Sequence, residues 1–315
     1  MPEEIALRDA YGQTLVELGR ENPDIVVLDA DLSQSTMTRF FAKEFPDRFF
    51  DCGIAEQNMV SIAAGLAASG KIPFASTFAV FAPGRCFDQV RMSVAQPGFN
   101  VKLVTTHGGI SVGEDGSSHQ AIEDLALIGS LPGFTVIVPA DAIEAAQAVK
   151  AAAANYGPYY IRLGRPKVPL VYDRDYRFNP GKAVMMRQGK DATIIAIGIM
   201  VVSALEAADK LKRQGIDCAV MNMPTLKPVD EVAIIKAAAD TGAIVTAEEH
   251  LEHGGLGSIV ARIVARHQPV PMGFIAIKET YATSGKPAEL LEMYGLTAKD
   301  IAQAVRDVLK RKKLS

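Results

Sequence analysis

Tryptophan is absent from the 315-residue sequence, cysteine is rare, and no long apolar run occurs. The apolar stretches fall short of the roughly 20 residues that a membrane-spanning helix needs. The first residues, MPEEIALRDA, lack the basic and apolar regions of a signal peptide. Cys52, Cys86 and Cys218 have neither zinc-ligand spacing nor an even framework, which indicates reduced thiols in or near the core. We therefore expect a cytoplasmic protein that does not bind a membrane.

An excess of charge of one sign is also missing. The net charge is −3, which provides no electrostatic reason for binding nucleic acid or an acidic membrane. The basic run KRKK at residues 310–313 is interpreted as a solvated helix end, where the helix dipole favours cations. Hydrophobic residues make up 49% of the chain and charged residues 22%, which is typical of a soluble globular protein.

The order of apolar segments predicts an α/β protein. Short β-branched runs alternate with amphipathic stretches, the pattern of parallel strands joined by helices. The predicted strands cover residues 25–28, 101–105, 135–138, 159–163, 193–197, 218–221, 243–247 and 273–277. These are too many units for one compact sheet of this type, so we expect two domains, each a mostly parallel sheet flanked by helices.

A candidate linker divides the chain. The segment VYDRDYRFNPG at residues 171–181 has charge, proline and glycine but no periodicity. We therefore place the boundary near residue 175, with a first domain at 1–175, a linker at 176–190 and a second domain at 191–315.

One carboxylate stands at the start of a predicted apolar helix. In GIAEQNM, residues 53–59, Glu56 precedes apolar residues that recur at helical spacing, namely Met59, Ile62, Ala63 and Leu66. Such a helix buries one face and carries Glu56 towards the interior. Glu56 could cap the first turn of its own helix, or it could serve a buried partner.

A second polar segment follows the predicted strand at 101–105. It reads HGGISVGEDGSSHQ at residues 107–120, and its four glycines allow sharp turns between the polar side chains. Ligands of open parallel sheets bind beyond the carboxyl ends of the strands, where this segment must lie. Its carboxylates could simply cap the next helix. However, the chain has only five histidines, and two of them, His107 and His119, flank Asp115 here.

Both segments resemble the transketolase family. GIAEQNM, together with the aromatic pair in STFAVF at residues 76–81, resembles the family's pyrimidine-binding domain, and residues 107–120 resemble its substrate loop, THxxxxVGEDGxxHQ. The second half resembles the family's C-terminal domain, so the resemblance covers nearly the whole chain. It implies the cofactor thiamine diphosphate, which supplies the carbanion chemistry while the protein orients it.

The resemblance implies a cofactor role for four residues. Glu56 would hold a proton against the N1′ atom of thiamine diphosphate, so that the 4′-amino group becomes the base that removes the C2 proton. Phe78 and Phe81 would line the aminopyrimidine pocket, with Phe81 as the stacking partner, and Asp31 would lie close to the thiazolium. Some family members have a third aromatic residue where this chain has Gly84.

The resemblance also implies substrate contacts. Four residues would bind the sugar phosphate: Arg8, Ser35, His107 and Arg165. Arginine suits a phosphate dianion because its guanidinium makes bidentate, charge-assisted bonds. Arg162 is the alternative to Arg165, since a short gap would shift the match. Asp115 would hold a sugar hydroxyl and His119 would work near the reacting carbonyl. Three residues are predicted to be catalytic: Glu56, His107 and His119.

Half of the family's cofactor site is missing from this sequence. Full-length members hold the diphosphate through a metal with a Gly-Asp-Gly motif, which this chain lacks, and the chain begins almost directly at Arg8. We therefore expect a separate N-terminal, diphosphate-binding subunit that holds Mg²⁺ or Ca²⁺, with no metal site in this chain. An α2β2 assembly with self-dimerisation is the natural arrangement. Two segments, residues 248–250 and 254–257, are candidates for the dimer contact. The equal alternative is that the first lies at a strand end and the second in a turn.

The favoured interpretation is the C-terminal subunit of a split transketolase. It would transfer a two-carbon ketol unit from a ketose phosphate to an aldose phosphate, as in the pentose phosphate pathway. Two enzymatic alternatives are a deoxyxylulose-phosphate-synthase-like subunit and a 2-oxo-acid dehydrogenase β-like subunit. A third alternative is not an enzyme but a non-catalytic assembly partner. A dehydrogenase has no need of two phosphate-binding arginines, and a scaffold has no physical need of Glu56, Asp115, His107 and His119 together.

Overall fold

The fold of residues 3–313 is described by a computed structural model. Within this range the chain forms fourteen strands and twelve α-helices. The strands are β1 (Glu4–Ala6), β2 (Ile25–Asp29), β3 (Phe49–Asp51), β4 (Ile72–Phe78), β5 (Lys102–Thr106), β6 (Thr135–Ile137), β7 (Tyr159–Arg162), β8 (Lys167–Pro169), β9 (Val184–Arg187), β10 (Ala192–Ala196), β11 (Cys218–Asn222), β12 (Thr225–Lys227), β13 (Ile244–Leu251) and β14 (Met272–Ile277). The helices are α1 (Leu7–Glu21), α2 (Ser33–Thr36), α3 (Arg39–Glu44), α4 (Glu56–Ala68), α5 (Phe87–Gln89), α6 (Asp124–Gly129), α7 (Ala142–Ala154), α8 (Met200–Lys212), α9 (Glu231–Thr241), α10 (Leu256–His267), α11 (Pro287–Met293) and α12 (Ala298–Lys312).

Two mostly parallel sheets organise these elements. The first has the order β12-β6-β7-β5-β4-β2-β3, and all its pairs are parallel except β12 with β6. The second has the order β14-β13-β10-β11-β9, with only β9 antiparallel. Strands such as β2, β10 and β11 are buried along their whole length, as expected where helices cover both faces of a sheet. The predicted α/β class and all eight predicted strands are confirmed.

The two halves of the chain are interleaved. β12 comes from the second half but pairs with β6, at Thr225 and Ile137, and so becomes an edge strand of the first sheet. β9 lies inside the predicted linker at 176–190 and pairs with β11. Because β12 crosses between the sheets, the sheet boundaries do not follow a single cut in the sequence. The division near residue 175 stays a prediction.

Helix α4 begins at Glu56, as the apolar periodicity predicts, but its buried face differs from the prediction. Met59 and Ala63 are buried, whereas Ile62 is 37% exposed and Leu66 is half-buried. Val60 takes part in the buried face instead. α4 is apolar nearly all round, so its periodicity alone cannot determine which side packs on the sheet.

No helix within residues 3–313 combines the length and apolar character needed to cross a membrane. The expectations for the cysteines and for the basic run are met. All three cysteines are free thiols, with Cys86 and Cys218 buried and Cys52 half-buried. The basic run at 310–313 does form a helix end, because α12 ends at Lys312.

Candidate active site

The predicted site residues follow the carboxyl ends of adjacent strands. β7, β5, β4 and β2 lie side by side in the first sheet, and β3 lies beyond β2. In this order, the segments after the strands carry Arg165, residues 107–120, Phe81, the pair Asp31 and Ser35, and finally Glu56. Since the five strands are parallel, all these segments emerge at one edge of the sheet, where ligands of such folds bind.

Four aromatic rings pack together at this edge. Phe78, the last residue of β4, stacks on His107 with ring centroids 3.8 Å apart and on Phe81 at 5.8 Å. His119 presents an edge to Phe81, with a centroid separation of 5.5 Å. The two histidines of loop 107–120 are thus brought onto the two predicted cofactor phenylalanines. The rings of Phe78 and Phe81 are inclined by only 12° to each other.

His107 is buried and uncharged at neutral pH. Burial lowers the pKa of its imidazole to about 3, with smaller contributions from the positive charges of Arg8 and Arg165 and from the neighbouring His119. The Thr106 hydroxyl lies 2.8 Å from His107 Nδ1. The backbone of His107 has φ of 61°, a left-handed conformation that is costly for a non-glycine residue and recurs at functional sites.

Glu56 pairs with an arginine that the sequence analysis does not identify. Its side chain is 1% exposed, and its Oε2 atom accepts a hydrogen bond from Arg85 at 2.7 Å. The guanidinium carbon of Arg85 also lies 4.4 Å from the centre of the Phe81 ring. Glu56 therefore faces a cation beside Phe81 and makes no side-chain cap for α4. Arg85 lies outside every motif used above, so only the folded chain reveals its contact.

Three arginines lie near one another, and two of them, Arg8 and Arg165, lie near His107. Arg8 donates to the backbone carbonyl of Ser35 at 3.0 Å. Burial lowers the pKa of Arg8, and the positive charges of Arg165 and Arg39 act in the same direction. The carboxylate of Asp9 partly opposes this shift. We call Arg8, Arg39 and Arg165 the arginine cluster. The sequence analysis does not identify Arg39, which begins α3 four residues after Ser35.

Arg165 links the arginine cluster to loop 107–120. Its guanidinium donates to the backbone carbonyl of Val112 and lies 3.5 Å from Glu114 and 3.9 Å from Asp115. Arg162, by contrast, is only 5% exposed and lies 3.0 Å from buried Asp124. The geometry therefore favours Arg165 over Arg162 for contact with a soluble anion.

The segment after β2 is held by a buried carboxylate. Asp29 accepts hydrogen bonds from the Leu32 amide at 2.6 Å, the Thr36 hydroxyl at 2.7 Å and the Thr38 hydroxyl at 2.8 Å. Burial raises the pKa of Asp29 to about 6, although these bonds oppose the shift. Asp31 is exposed with φ of 62°, and within residues 3–313 it makes no hydrogen bond or ion pair with the other predicted site residues.

Residues 248–250 do not lie at a surface contact. Glu248, Glu249 and His250 are 0%, 4% and 0% exposed in the single chain, because β13 runs through the interior. The expectation that they take part in dimer packing is therefore wrong, and the strand-end alternative holds. Burial raises the pKa of both glutamates to about 7.

The chemistry available at this edge has two parts. A buried carboxylate beside stacked aromatic faces suits a flat, protonatable ring, and the arginine cluster suits an oxyanion such as phosphate. Within residues 3–313, no three or more His, Cys, Asp or Glu side chains are grouped so that they could hold a metal ion.

Comparison with known proteins connects this site to one family. Residues 3–171 match the transketolase pyrimidine-binding domain and residues 181–301 match the transketolase C-terminal domain. The chain is 45% identical over 308 residues to a protein of Methanocaldococcus jannaschii named as a transketolase C-terminal section, covering 97% of this chain and 96% of that one. It is 43% identical over 311 residues to a 6-deoxy-6-sulfo-D-fructose transketolase subunit of Clostridium sp. (strain MSTE9), covering 98% and 96%.

A solved structure gives the same result. The chain superposes with a TM-score of 0.92 and 53% identity on a split-gene transketolase described as an inactive beta4 tetramer, covering 98% of this chain and 99% of that one. Both the first and the second sheet are included in this match, and the two domain families together span most of the sequence. The chain therefore belongs to the transketolase family.

Proposed function

We propose that this chain is the C-terminal subunit of a split, thiamine-diphosphate-dependent transketolase. Together with a diphosphate-binding subunit, it transfers a two-carbon ketol unit from a ketose phosphate to an aldose phosphate. The observation that carries the proposal is that buried Glu56 and the Phe81 ring share Arg85, while Phe81 stacks on Phe78 at the same sheet edge as the arginine cluster. Relatives of nearly the same length, one named a C-terminal section and one from a split gene, support the subunit role.

The residues present fit the aminopyrimidine ring of the cofactor. Arg85 places a flat cation over Phe81 while it also contacts Glu56, so one planar group can meet both side chains at once. An aminopyrimidine with a protonated ring nitrogen has the same two properties. When bound, thiamine diphosphate supplies the carbanion chemistry of the reaction.

Each cofactor-facing residue then has a defined task. Glu56, whose side chain is 1% exposed, would hold a proton at N1′ of the ring. Phe78 and Phe81 would hold the ring by stacking and exclude water from it. Asp31 would lie on the thiazolium side of the cofactor. The diphosphate and its Mg²⁺ or Ca²⁺ belong to the partner subunit.

The substrate is held by loop 107–120 and the arginine cluster. Arg8, Arg165 and Ser35 bind the phosphate. His107 Nδ1 lies 2.8 Å from the Thr106 hydroxyl. In the tautomer in which that hydroxyl donates to Nδ1, His107 has its proton on Nε2 and donates a hydrogen bond to the same anion. The low pKa of His107 makes it a neutral donor, so the arginines provide the charge. Asp115 accepts a hydrogen bond from a sugar hydroxyl, and His119 moves a proton at the reacting carbonyl.

The active form is an α2β2 assembly in the cytoplasm, in which this chain dimerises and each cofactor is shared with a partner subunit. Self-association of this chain is supported by the split-gene relative, which is described as an inactive beta4 tetramer. The α2β2 arrangement itself follows from the prevalence of symmetric oligomers and from the need for a diphosphate-binding partner.

The test is ketol transfer from xylulose 5-phosphate to ribose 5-phosphate, with thiamine diphosphate and Mg²⁺. The chain is assayed alone and after addition of a diphosphate-binding subunit. We expect activity only in the mixture, its loss in Glu56→Gln, and its retention in the surface control Glu17→Gln, whose side chain is 52% exposed. An inactive mixture that contains correctly assembled subunits would refute the proposal.

A sulfonated ketose is a second candidate donor, because the Clostridium relative is named for 6-deoxy-6-sulfo-D-fructose. The arginine cluster can bind either anion, but its charge favours a phosphate dianion over a sulfonate monoanion. Parallel assays with both donors decide between them, and a higher kcat/KM for the sulfonated sugar would reverse our assignment.

A further inference from the structure

Loop 107–120 belongs to the first half of the chain but is held by the second half. The backbone amide of Ser111 donates to Glu249 Oε1, and the Ser111 hydroxyl donates to Glu249 Oε2 at 3.1 Å. Glu249 lies on β13 of the second sheet. Farther along the loop, Gln120 Nε2 donates to the backbone carbonyl of Thr283 at 3.0 Å. Both halves of the loop are therefore bonded to the second domain.

The contact is too close for side chains on the loop. A Cβ atom on Gly109 would lie 2.1 Å from Glu249 Cδ, and the φ of Gly109 is 84°. A Cβ atom on Gly116 would lie 2.4 Å from the Ser284 hydroxyl. The loop thus lies directly on the second domain at two separate points, which accounts for glycine at both positions.

Glu249 is itself fixed by a buried cation from the first sheet. Arg162 donates to the backbone carbonyl of Glu249 at 2.9 Å and to that of Ala121, which follows the loop, at 2.8 Å. Its Nε atom lies 3.0 Å from Asp124. One guanidinium therefore joins β13 to the end of the loop, and the carboxylate of Glu249 is held in a defined place.

We propose that Glu249 is a positioning residue and that the second domain serves as a template for loop 107–120. Glu249 holds the Ser111 turn, and this turn determines where His107, Asp115 and His119 stand. The inference rests on the proposed function for its catalytic meaning, but the contact itself can be tested without activity. It assigns the second domain a role in substrate binding.

Glu248 provides the matched control. It precedes Glu249 on the same strand and is also buried, but its carboxylate accepts from the amides of Leu256 and Gly257, each at 2.7 Å. These bonds hold the start of α10 and do not reach the loop. Glu248→Ala therefore removes a buried carboxylate of the second domain and leaves the Ser111 contact intact.

The first measurement is hydrogen exchange of the chain alone, read on peptides that cover residues 107–120. We expect faster exchange of this segment in Glu249→Ala and in Ser111→Ala, partial recovery in Glu249→Gln, which keeps one acceptor, and wild-type exchange in Glu248→Ala. If Glu249→Ala does not fold, Glu249→Gln and Ser111→Ala decide the question together, because the first removes one acceptor oxygen and the second removes the hydroxyl bond while keeping the amide bond. Unchanged protection of the loop in the folded variants would overturn the proposal.

The second measurement uses the complete mixture with its partner subunit. Loss of the two hydrogen bonds from Ser111 predicts a fall in kcat/KM on the order of tenfold in Glu249→Ala, expressed mainly as a higher KM for the ketose phosphate. A merely structural role would reduce the active fraction, lowering kcat at an unchanged KM, and that result would overturn the positioning role. An inactive wild-type mixture would count against the proposed function, while hydrogen exchange would still decide whether Glu249 holds the loop.

Discussion

Replacement of Arg85 by methionine tests the account of Glu56. Arg85 is half-exposed, with 45% of its side chain accessible, whereas the Glu56 side chain is 1% exposed. Methionine keeps most of the aliphatic packing over Phe81 and removes the guanidinium. The buried carboxylate then loses the donor that lies 2.7 Å from it.

The magnitude follows from two contacts. A hydrogen bond to a charged group contributes about 1.5 to 3 kcal/mol, and the solvent exposure of Arg85 places this one at the lower end. The cation over the Phe81 ring adds about 0.5 kcal/mol, as is usual at exposed sites. We expect Arg85→Met to lower the free energy of unfolding by about 2 kcal/mol.

A double-mutant cycle with Glu56→Gln isolates the pair. In the Glu56→Gln background, Arg85→Met removes only a hydrogen bond to a neutral group and the contact with the Phe81 ring, so it should cost about 1 kcal/mol. The difference from the cost in wild type, about 1 kcal/mol, is the coupling energy between Arg85 and Glu56. The chain has no tryptophan, so urea unfolding is followed by far-ultraviolet circular dichroism. Arg91→Met, at a nearby exposed arginine, is the control and should stay within about 0.5 kcal/mol of wild type. A coupling indistinguishable from zero would refute the ion pair.

Three further predictions concern stability. Gly109→Ala should destabilise the chain by at least about 2 kcal/mol, because the new Cβ would lie 2.1 Å from Glu249. The control Gly65→Ala, in an open helical position, should instead stabilise the chain by about 0.5 kcal/mol. Equal urea midpoints for the two variants would contradict this prediction. Asp141→Ala should lower the free energy of unfolding by about 2 kcal/mol, because the Asp141 carboxylate accepts from the Glu144 amide at the start of α7 and from two backbone amides after β8. A decrease under about 0.5 kcal/mol in thermal unfolding would contradict this prediction. In the unfolded chain His107 takes up a proton near pH 6.5, whereas in the folded chain its pKa is about 3. The free energy of unfolding should therefore fall by about 1 kcal/mol between pH 6.5 and 5.5. His107→Gln should remove this part of the pH dependence, and an unchanged pH profile in the variant would contradict the prediction.

The regular core was predictable because its signal is local. Continuous β-branched runs such as 192–196 and 218–222 become fully buried parallel strands, and their pattern needs no knowledge of distant residues. β4 was not predicted, although it ends at Phe78, because Pro73 and Ser76 interrupt its apolar pattern. The antiparallel pairing of β12 with β6 joins residues 225 and 137, a contact that short-range periodicity cannot reveal.

The site shows the same division. Strand ends and motif spacing are local, so Glu56, His107 and His119 could be named from the sequence, and the structure brings the two histidines onto Phe78 and Phe81 and Glu56 onto Arg85 beside them. Their functional roles stay predictions. The contacts between Arg85 and Glu56 and between Arg8 and Ser35 depend on chain segments about 30 residues apart that meet only after the sheet has formed.

The amino-acid sequence by itself determined the α/β class, eight of the strands in the two sheets, the edge at which the site lies and the resemblance to the transketolase family. Each of these depends on short segments whose periodicity and motifs are readable in order. Only the tertiary structure decided that Glu56 meets Arg85, that Arg162 is buried while Arg165 faces the loop, and that Glu249 holds Ser111 across 138 residues of chain. The first two depend on how the segments after neighbouring strands fold against one another, and the third depends on how the two sheets pack, since burial and charge partners are set by neighbours in space.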